Sequence, residues 1–487
     1  MLLNKVINLT ENINITNIEI DSRKICQRGL FFALKGVKNH GRDFIDQAIF
    51  NGAVAVICQE NEESITDKGG IKIYNRPDAF DLLIKSLQEL YPKLPKNIMA
   101  ITGTNGKSSI CHFVFQLLNF LDLKSAFIGT LGINSNVKID NFVESSLTTS
   151  DIVTFYKNLN ILAKNDIDNV ILEASSLGIE QGRLAGIKIS LAAFSNFTQD
   201  HLDLHKNMEN YFKAKMLLFN NLMDDKSIAI LNSDIAEFNK IKEICQNKYH
   251  KIYSYGKKGD FIKLLNAKSN DWGWDLNLEI AGHNYQTQIK EIANFQIYNI
   301  ICALSSVISY YNLDQTKIKF LLQKLPDLTS VDGRMQKVAE HENGAKIFID
   351  YAHSPDAIEN ILKNSKKIQH NKLHILFGAG GDRDKTKRPL MGKISSQFAD
   401  KIIITDDNPR CEDAAQIRKE ILSACDQEKT IEIAGRKIAI EYAVKNLEQD
   451  DILLIAGKGH EKYQIIADQK FEFDEKKIIL ETINELS

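Results

Sequence analysis

The chain has 487 residues, more than one hydrophobic core usually organises, so two or three domains are expected. Its 44% apolar and 25% charged residues are those of an ordinary globular protein, and a net charge of -2 excludes a general nucleic-acid binder, whose phosphate contacts need a basic surplus. Seven scattered cysteines (26, 58, 111, 245, 302, 411, 425) with no Cys-x-x-Cys pair point to reduced thiols, and no apolar run approaches the roughly 18 residues of a membrane span, so a cytoplasmic location is expected.

Residues 1–95 read as a small α/β unit. They carry Asp21-Ser22-Arg23, Gly29 to Gly36, His40 to Ile45 and the strand-like run Ala53 to Ile57. On residue chemistry alone Ser22 and Arg23 amount to a turn and a surface ion pair. Tyr91-Pro-Lys-Leu-Pro95 holds two of the seven prolines and makes a linker, because proline breaks both helix and sheet pairing.

The segment 96–327 opens with the most informative stretch of the chain, Ile98 to Ser109. A short apolar run stops at Gly103-Thr104-Asn105-Gly106-Lys107-Ser108-Ser109, a strand emptying into a phosphate loop. The glycines permit turns that aim N–H groups at a phosphate, Lys107 supplies a charge and the Ser108 hydroxyl can hold magnesium. The spacing is not the Walker pattern, since the first glycine is two residues too close to the second. Ile110, Phe113, Val114, Leu117, Leu118 and Leu121 follow with helical spacing.

Further strands with polar carboxyl ends come next. Asn169 to Leu172 runs into Glu173-Ala-Ser175-Ser176, where Glu173 is either a magnesium contact or a cap. Leu191 to Phe194 leads into Ser195 to His205. His201 and His205 stand four apart, yet the glutamate of a zinc-protease motif is missing, so His201 fits better as a magnesium or phosphate neighbour. Tyr211 to Phe219 is an amphipathic helix on which Lys215 reads as a solvated lysine. Ile228 to Asp234 is another strand, and Asn299 lies in an otherwise apolar helix.

From 328 to 487 the chain restarts as a second parallel α/β unit. Val331-Asp-Gly-Arg334-Met and Ile347 to Asp350, followed by Tyr-Ala-His353, precede three strand-then-loop units. These are Leu373 to Phe377 into Gly378 to Asp384, Lys401 to Thr405 into Asp406-Asp407-Asn408-Pro409-Arg410, and Ile452 to Ile455 into Ala456-Gly457-Lys458-Gly459-His460-Glu461. Helices are expected near 392–400, 414–425 and 436–446. The loops mix Arg, Asp, Glu and Gly and suit a zwitterionic ligand, although Gly380-Gly381-Asp382-Arg383 taken singly is a tight turn with a charged rim.

In this order, the segments DSR, GTNGKS, Thr148-Thr149, EASS, DHLDLH, AKMLLF, DGRM, DYAHSPD, GGDRDKTKRP, DNPR and GKGHE resemble those of the Mur ligases of peptidoglycan synthesis. Within that family they are most similar to the ligases that add the third amino acid to UDP-N-acetylmuramoyl-L-alanyl-D-glutamate. The likeness runs from Asp21 to Glu461, and the phosphate loop is shared with folylpolyglutamate synthetases. It implies an α/β protein of three domains: a small N-terminal UDP-substrate-binding domain (1–95), a central P-loop mononucleotide-binding domain on a parallel sheet (96–327) and a C-terminal, amino-acid-binding, Rossmann-like domain (328–487).

The resemblance also implies site residues. ATP, a co-substrate, would meet residues 103–109 and Asn299, Arg334 and Asp350, with His353 near the phosphates. Ser22 would contact the uridine nucleotide, and Thr148, Thr149, Ser175, Gln181 and Arg183 the muramoyl-dipeptide. Lys215 would be carbamylated and bind magnesium beside His201, while Ser108 and Glu173 hold a second ion. Arg383, Asp407, Asn408, Pro409, Arg410, Gly457 and Glu461 would bind meso-diaminopimelate, because in the family the arginine of Asp-Asn-Pro-Arg separates diaminopimelate enzymes from lysine-adding ones. L-lysine as acceptor and a folate-type polyglutamate ligase are the alternatives, and Arg410 and the amino-terminal unit speak against them respectively. A small-molecule enzyme acting as a monomer is expected. Ser150, Leu177, Ala293 and Gln296 depart from the family pattern.

Overall fold

The computed structural model describes residues 1–7, 13–36, 39–145, 147–200, 202–270, 273–290, 294–366, 370–467 and 469–486, without the side chains of 202 and 203. Among the described residues, three sheets of five or more strands follow one another along the chain, with a two-stranded one after them.

The first sheet contains β1 (Asn17–Glu19), β2 (Gly29–Ala33), β3 (Ala53–Gln59), β4 (Ser64–Lys68) and β5 (Ile71–Arg76) in the order β1-β2-β3-β5-β4. All pairs are parallel except β4 with β5. Helix α1 (Ile45–Phe50) packs on one side and α2 (Ala79–Leu90) on the other. No helix or strand occupies residues 91–96, where the prolines stand.

The second sheet is built from β6 (Asn97–Thr102), β7 (Ser125–Gly129), β8 (Gly132–Ser135), β9 (Asn169–Glu173), β10 (Ile189–Phe194), β11 (Met223–Asn232), β12 (Lys251–Gly256), β13 (Ile262–Asn270), β14 (Gly273–Ile280) and β15 (His283–Ile289). Its order is β15-β14-β13-β12-β11-β10-β6-β9-β7-β8, so β6 lies in the interior between β10 and β9. The expected parallel sheet is therefore its core only. β7–β8 and β13–β14–β15 are antiparallel extensions at the two ends. The central strands of that core, β6, β9 and β10, are buried on both faces and are mostly apolar. Helix α3 (Lys107–Phe120) buries Ile110, Cys111, Phe113, Val114, Leu117 and Leu118 against one face and the long helix α9 (Asn294–Tyr311). Each such side chain contributes roughly 1.5–3 kcal/mol of burial. Helices α4 (Ile152–Lys164), α5 (Ser176–Glu180), α6 (Leu202–His205), α7 (Met208–Leu217) and α8 (Phe238–Asn247) complete the layers, with α10 (Gln315–Lys324) after α9.

The third sheet has β16 (Gln336–Glu340), β17 (Lys346–Asp350), β18 (Leu373–Phe377), β19 (Lys401–Ile404), β20 (Thr430–Glu432) and β21 (Ile452–Ala456) in the order β16-β17-β21-β18-β19-β20. Only the edge strand β16 is antiparallel. Two separate apolar layers cover its faces, formed by α11 (Pro355–Ser365), α12 (Lys387–Phe398) and α13 (Ala414–Leu422) on one side and α14 (Arg436–Lys445) and α15 (Glu475–Asn484) on the other. The helix expected at 392–400 starts five residues earlier, with Pro389 in its first turn, where its missing N–H costs nothing. A hairpin, β22 (Tyr463–Ile466) and β23 (Gln469–Glu472), follows the last sheet strand.

Candidate active site

The phosphate loop leaves β6 at the sheet's carboxyl edge, where Ile101 pairs with Glu173 and Thr102 with Phe194. Gly103 (φ 141°) and Gly106 (φ 86°) hold backbone conformations that side chains disfavour. Residues after β10 brace the loop. Asn196 Oδ1 accepts from Asn105 N at 2.8 Å, and Ser195 Oγ donates to Asn105 O at 2.7 Å. Thr198 N donates to the Thr104 hydroxyl at 3.0 Å. No side chain among the described residues caps α3, so its first-turn N–H groups suit an anion. Ser108 and Ser109 are buried at that turn.

Lys107 and Lys215 converge on one acceptor. Both donate to the Gly103 carbonyl, at 3.0 and 2.8 Å, and Lys107 donates also to Thr104 O at 2.8 Å. Lys215 is 1% exposed, which corrects its reading as a solvated lysine. Burial and then the Lys107 charge push its ammonium well below the usual lysine range, with Asp200 opposing. Burial lowers Lys107 as well, and Glu173 foremost opposes that shift. Lys215 also lies 4.5 Å above the Tyr211 ring.

Glu173 ends β9 and is buried. Its carboxylate accepts from Thr130 N at 3.0 Å and the Thr130 hydroxyl at 3.2 Å, and the Thr148 hydroxyl lies 3.1 Å from that of Thr130. Thr149 Oγ donates to Glu173 O at 2.8 Å and meets Ser175 Oγ at 3.0 Å. Arg183 donates to Thr149 O at 2.7 Å and to Gln181 Oε1 at 2.6 Å. Thr148, Thr149, Ser175, Gln181 and Arg183 are thus gathered beside Glu173. Ser22 donates to Gln47 Oε1 at 2.7 Å, while Arg23 pairs with Asp21 as residue chemistry suggests. Lys24 reaches Asp151 at 3.7 Å, which sets the Asp21–Arg23 segment beside the Thr148–Thr149 segment.

His201 and Ala293 lie outside the described residues. His205 is buried, 3.0 Å from Ser176 Oγ and 3.4 Å from Glu180. Leu177 stands between those two on α5 and is partly exposed, and Ser150 has a buried hydroxyl with no hydrogen-bond partner among the described residues. Asn299 Oδ1 lies 2.4 Å from where a Cβ on Gly106 would be, so it packs on the phosphate loop. Its amide donates to Gln296 Oε1 at 2.7 Å, so the side chain that departs from the family pattern contacts Asn299.

The third domain faces this edge. Asp350 accepts from Met335 N and Ala352 N, both at 2.7 Å, which fixes the loops carrying Arg334 and His353. Arg334 lies 4.6 Å over the Tyr351 ring. His353 Nδ1 contacts Tyr351 O at 2.9 Å, and Lys387 donates to His353 O at 3.0 Å. Asp200 of the middle domain acts electrostatically on Lys107, Lys215, His353 and Lys387 at once.

A second cluster forms where β18, β19 and β21 end. Asn408 donates to Glu461 at 2.9 Å and accepts from Lys458 Nζ and Ile465 N, both at 2.9 Å. Gly457 comes so close to Asp407 that a Cβ would sit 2.6 Å from its carboxylate. Arg410, at φ 51°, donates to Gly381 O at 2.9 Å, and its backbone pairs with β22. Pro409 is buried beneath it, and Arg383 is exposed at the rim. Sequence reading passed over Lys458, Arg436 and Thr130, although Lys458 lies inside the Gly457 to Glu461 run.

Residues 101–307 match the Mur ligase middle domain, 333–459 the Mur ligase glutamate ligase domain and 14–87 the Mur ligase family catalytic domain. The chain belongs to the Mur ligase family. A UDP-N-acetylmuramoyl-L-alanyl-D-glutamate--2,6-diaminopimelate ligase of Rickettsia typhi is 41% identical over 477 residues, covering 97% of this chain and 94% of that protein. A solved structure of a ligase of the same description superposes with a TM-score of 0.69 at 30% identity, over 100% of this chain and 99% of that one. The MurF ligase of Thermotoga maritima, solved in complex with ADP, shares the fold with a TM-score of 0.62 at 16% identity, over 98% and 99% of the two chains. The Mur ligase fold, with its N-terminal, nucleotide-binding and C-terminal domains, is the architecture described above.

Proposed function

We propose that this Mur ligase is an ATP-dependent, ADP-forming enzyme that joins meso-diaminopimelate to the D-glutamyl side-chain carboxylate of UDP-N-acetylmuramoyl-L-alanyl-D-glutamate in peptidoglycan precursor synthesis. The observation that carries the acceptor is Arg410, seated with Asp407, Asn408, Gly457 and Glu461 at one sheet edge. Diaminopimelate exceeds lysine by one carboxylate, and a guanidinium grips a carboxylate with two parallel hydrogen bonds. Glu461 suits the distal ammonium. Residues 1–95 would hold the UDP end, 96–327 ATP and 328–487 the amino acid.

The chain's residues account for the steps. ATP phosphorylates the glutamyl carboxylate to an acyl phosphate, the acceptor amine attacks the acyl carbon, and phosphate leaves from the tetrahedral intermediate. Lys107 and the first-turn N–H groups of α3 offset the negative charge gathering on phosphate oxygens. Thr148, Thr149, Ser175, Gln181 and Arg183 frame the dipeptide beside Glu173. Arg334, His353 and Lys387 approach from the third domain, so its closure would exclude water and bring the amine to the acyl phosphate.

The Ser108 hydroxyl and the Glu173 carboxylate are hard oxygen donors and fit magnesium. Lys215 as a plain amine does not fit, since its nitrogen is spent on Gly103 O. Its lowered ammonium pKa supplies the neutral amine that attacks carbon dioxide, forming an N–C bond with loss of a proton, and the resulting carbamate is an oxygen donor. Bound magnesium would supply further charge stabilisation at the phosphates.

The test is phosphate release from ATP and magnesium with UDP-N-acetylmuramoyl-L-alanyl-D-glutamate, comparing meso-diaminopimelate, L-lysine and no acceptor. Release that depends on diaminopimelate is expected. Release with lysine instead would overturn the role of Arg410, and none with either would overturn the ligase.

A further inference from the structure

Among the described residues, two of the largest fully buried side chains are arginines, and one of them, Arg436, stands directly behind the acceptor cluster. It is the first residue of α14, and its three guanidinium nitrogens face three different segments. Nη2 donates to the Ala456 carbonyl at 2.8 Å, Nη1 to the Asp406 carbonyl at 3.3 Å and Nε to Glu475 Oε1 at 2.6 Å. Ala456 is the residue before Gly457, and Asp406 the residue before Asp407. Strand β18 lies between β19 and β21, so no ladder hydrogen bond joins the two loops that leave them. The guanidinium spans that gap. Asp406 is fixed in turn by Gly435 N at 2.8 Å and by an ion pair with Arg418. Glu475, buried in the first turn of α15, balances the Arg436 charge.

We propose that Arg436, held by Glu475, is a positioning residue that sets the spacing between the Asp407–Arg410 loop and the Gly457–Glu461 loop, and through it the selection of the acceptor. This rests on the reading of those loops as the diaminopimelate site. A buried ion pair is a poor source of net stability, because the cost of desolvating two charges offsets their attraction. A rigid fork with donors aimed at two carbonyls is, however, an efficient spacer. Arg410 and Glu461 would bind the extra carboxylate and the distal ammonium, which share one carbon of the ligand, so a small change in the separation of the two side chains weakens both contacts at once.

The experiment measures steady-state kinetics for all three substrates, with thermal melts, in the wild type, in Arg436→Lys and in the double variant Arg436→Met with Glu475→Met. The double variant replaces the pair by apolar groups of similar length and keeps the test usable where the single one folds poorly. The expected result for both is a KM for diaminopimelate raised by about tenfold or more, KM values for ATP and the UDP-dipeptide within about twofold, and a lower preference for diaminopimelate over lysine. A folded variant with the wild-type KM for diaminopimelate, or with all three KM values raised together, would overturn the positioning role. A wild type without diaminopimelate-dependent release would instead overturn the reading of the site.

Discussion

Arg410 donates to Gly381 O with one guanidinium nitrogen, and under the proposed function the other end of its fork would take a carboxylate. On the proposed assignment, removing it would strand one charged group of the ligand, a loss of about 1–3 kcal/mol, or roughly fivefold to somewhat over a hundredfold in kcat/KM. Arg410→Ala is expected to show that loss for diaminopimelate with the KM for ATP unchanged, and equal kinetics for diaminopimelate in steady-state assays would refute it. Lys215 carries a second expectation at this scale. Lys215→Ala should be inactive at any bicarbonate concentration, and isotopically labelled bicarbonate should give a carbamate carbon resonance in the wild type alone. Full activity of the variant would remove the carbamate. The lysine also marks where sequence reading stops. Helical periodicity says which residues share a face, but the partner here is the Gly103 carbonyl, which is 112 positions away. Arg436 was hidden in the same way, since nothing around it in sequence announces contact with Asp406 and Ala456.

Elements were more legible where pattern and punctuation agree. The run from Ile98 into Gly103 and the helical spacing from Ile110 identify β6 and α3, and all the residues expected in the helix face except Leu121, its carboxyl cap, are buried. The antiparallel strands β13, β14 and β15 are not legible in the sequence, because half-exposed strands such as Ile262–Asn270 and the edge strand His283–Ile289 carry few apolar residues. Residues after Glu461 carry no motif in the sequence, yet β22 holds the backbone of Arg410 and α15 supplies Glu475. The β6–α3 junction makes its own prediction. Gly106 combines φ 86° with a Cβ position 2.4 Å from Asn299 Oδ1, so Gly106→Ala meets backbone strain of about 1–2 kcal/mol and a side-chain clash. ATP affinity should fall about tenfold or more in calorimetric titration, with the far-ultraviolet circular dichroism spectrum unchanged. Unaltered affinity would show that the loop tolerates another path.

At the scale of the whole molecule, three sheets in sequence were legible from apolar runs separated by a proline linker, but the way the third domain meets the second was not. Their contact includes a cavity of about 530 Å³ lined by His112, Phe115 and Phe127 of the middle domain, the connecting residues Thr329–Asp332, and His460. His460 packs 5.2 Å from the Tyr351 ring, and its Nδ1 is buried without a hydrogen-bond partner among the described residues. Burial, and then the nearby Arg334 charge, push its pKa from 6.5 down to about 4, with Asp332 opposing. His112 is lowered by burial on the facing wall. Both shifts have the same sign: the folded protein holds these imidazoles neutral while an opened or unfolded chain protonates them. The stability they contribute is complete above pH 6.5 and is lost as pH falls toward about 4. The melting temperature of His460→Gln should therefore decline less steeply than that of the wild type across this interval, and the two slopes should agree above it. Parallel curves throughout would show that His460 is as solvated at the domain boundary as in the unfolded chain.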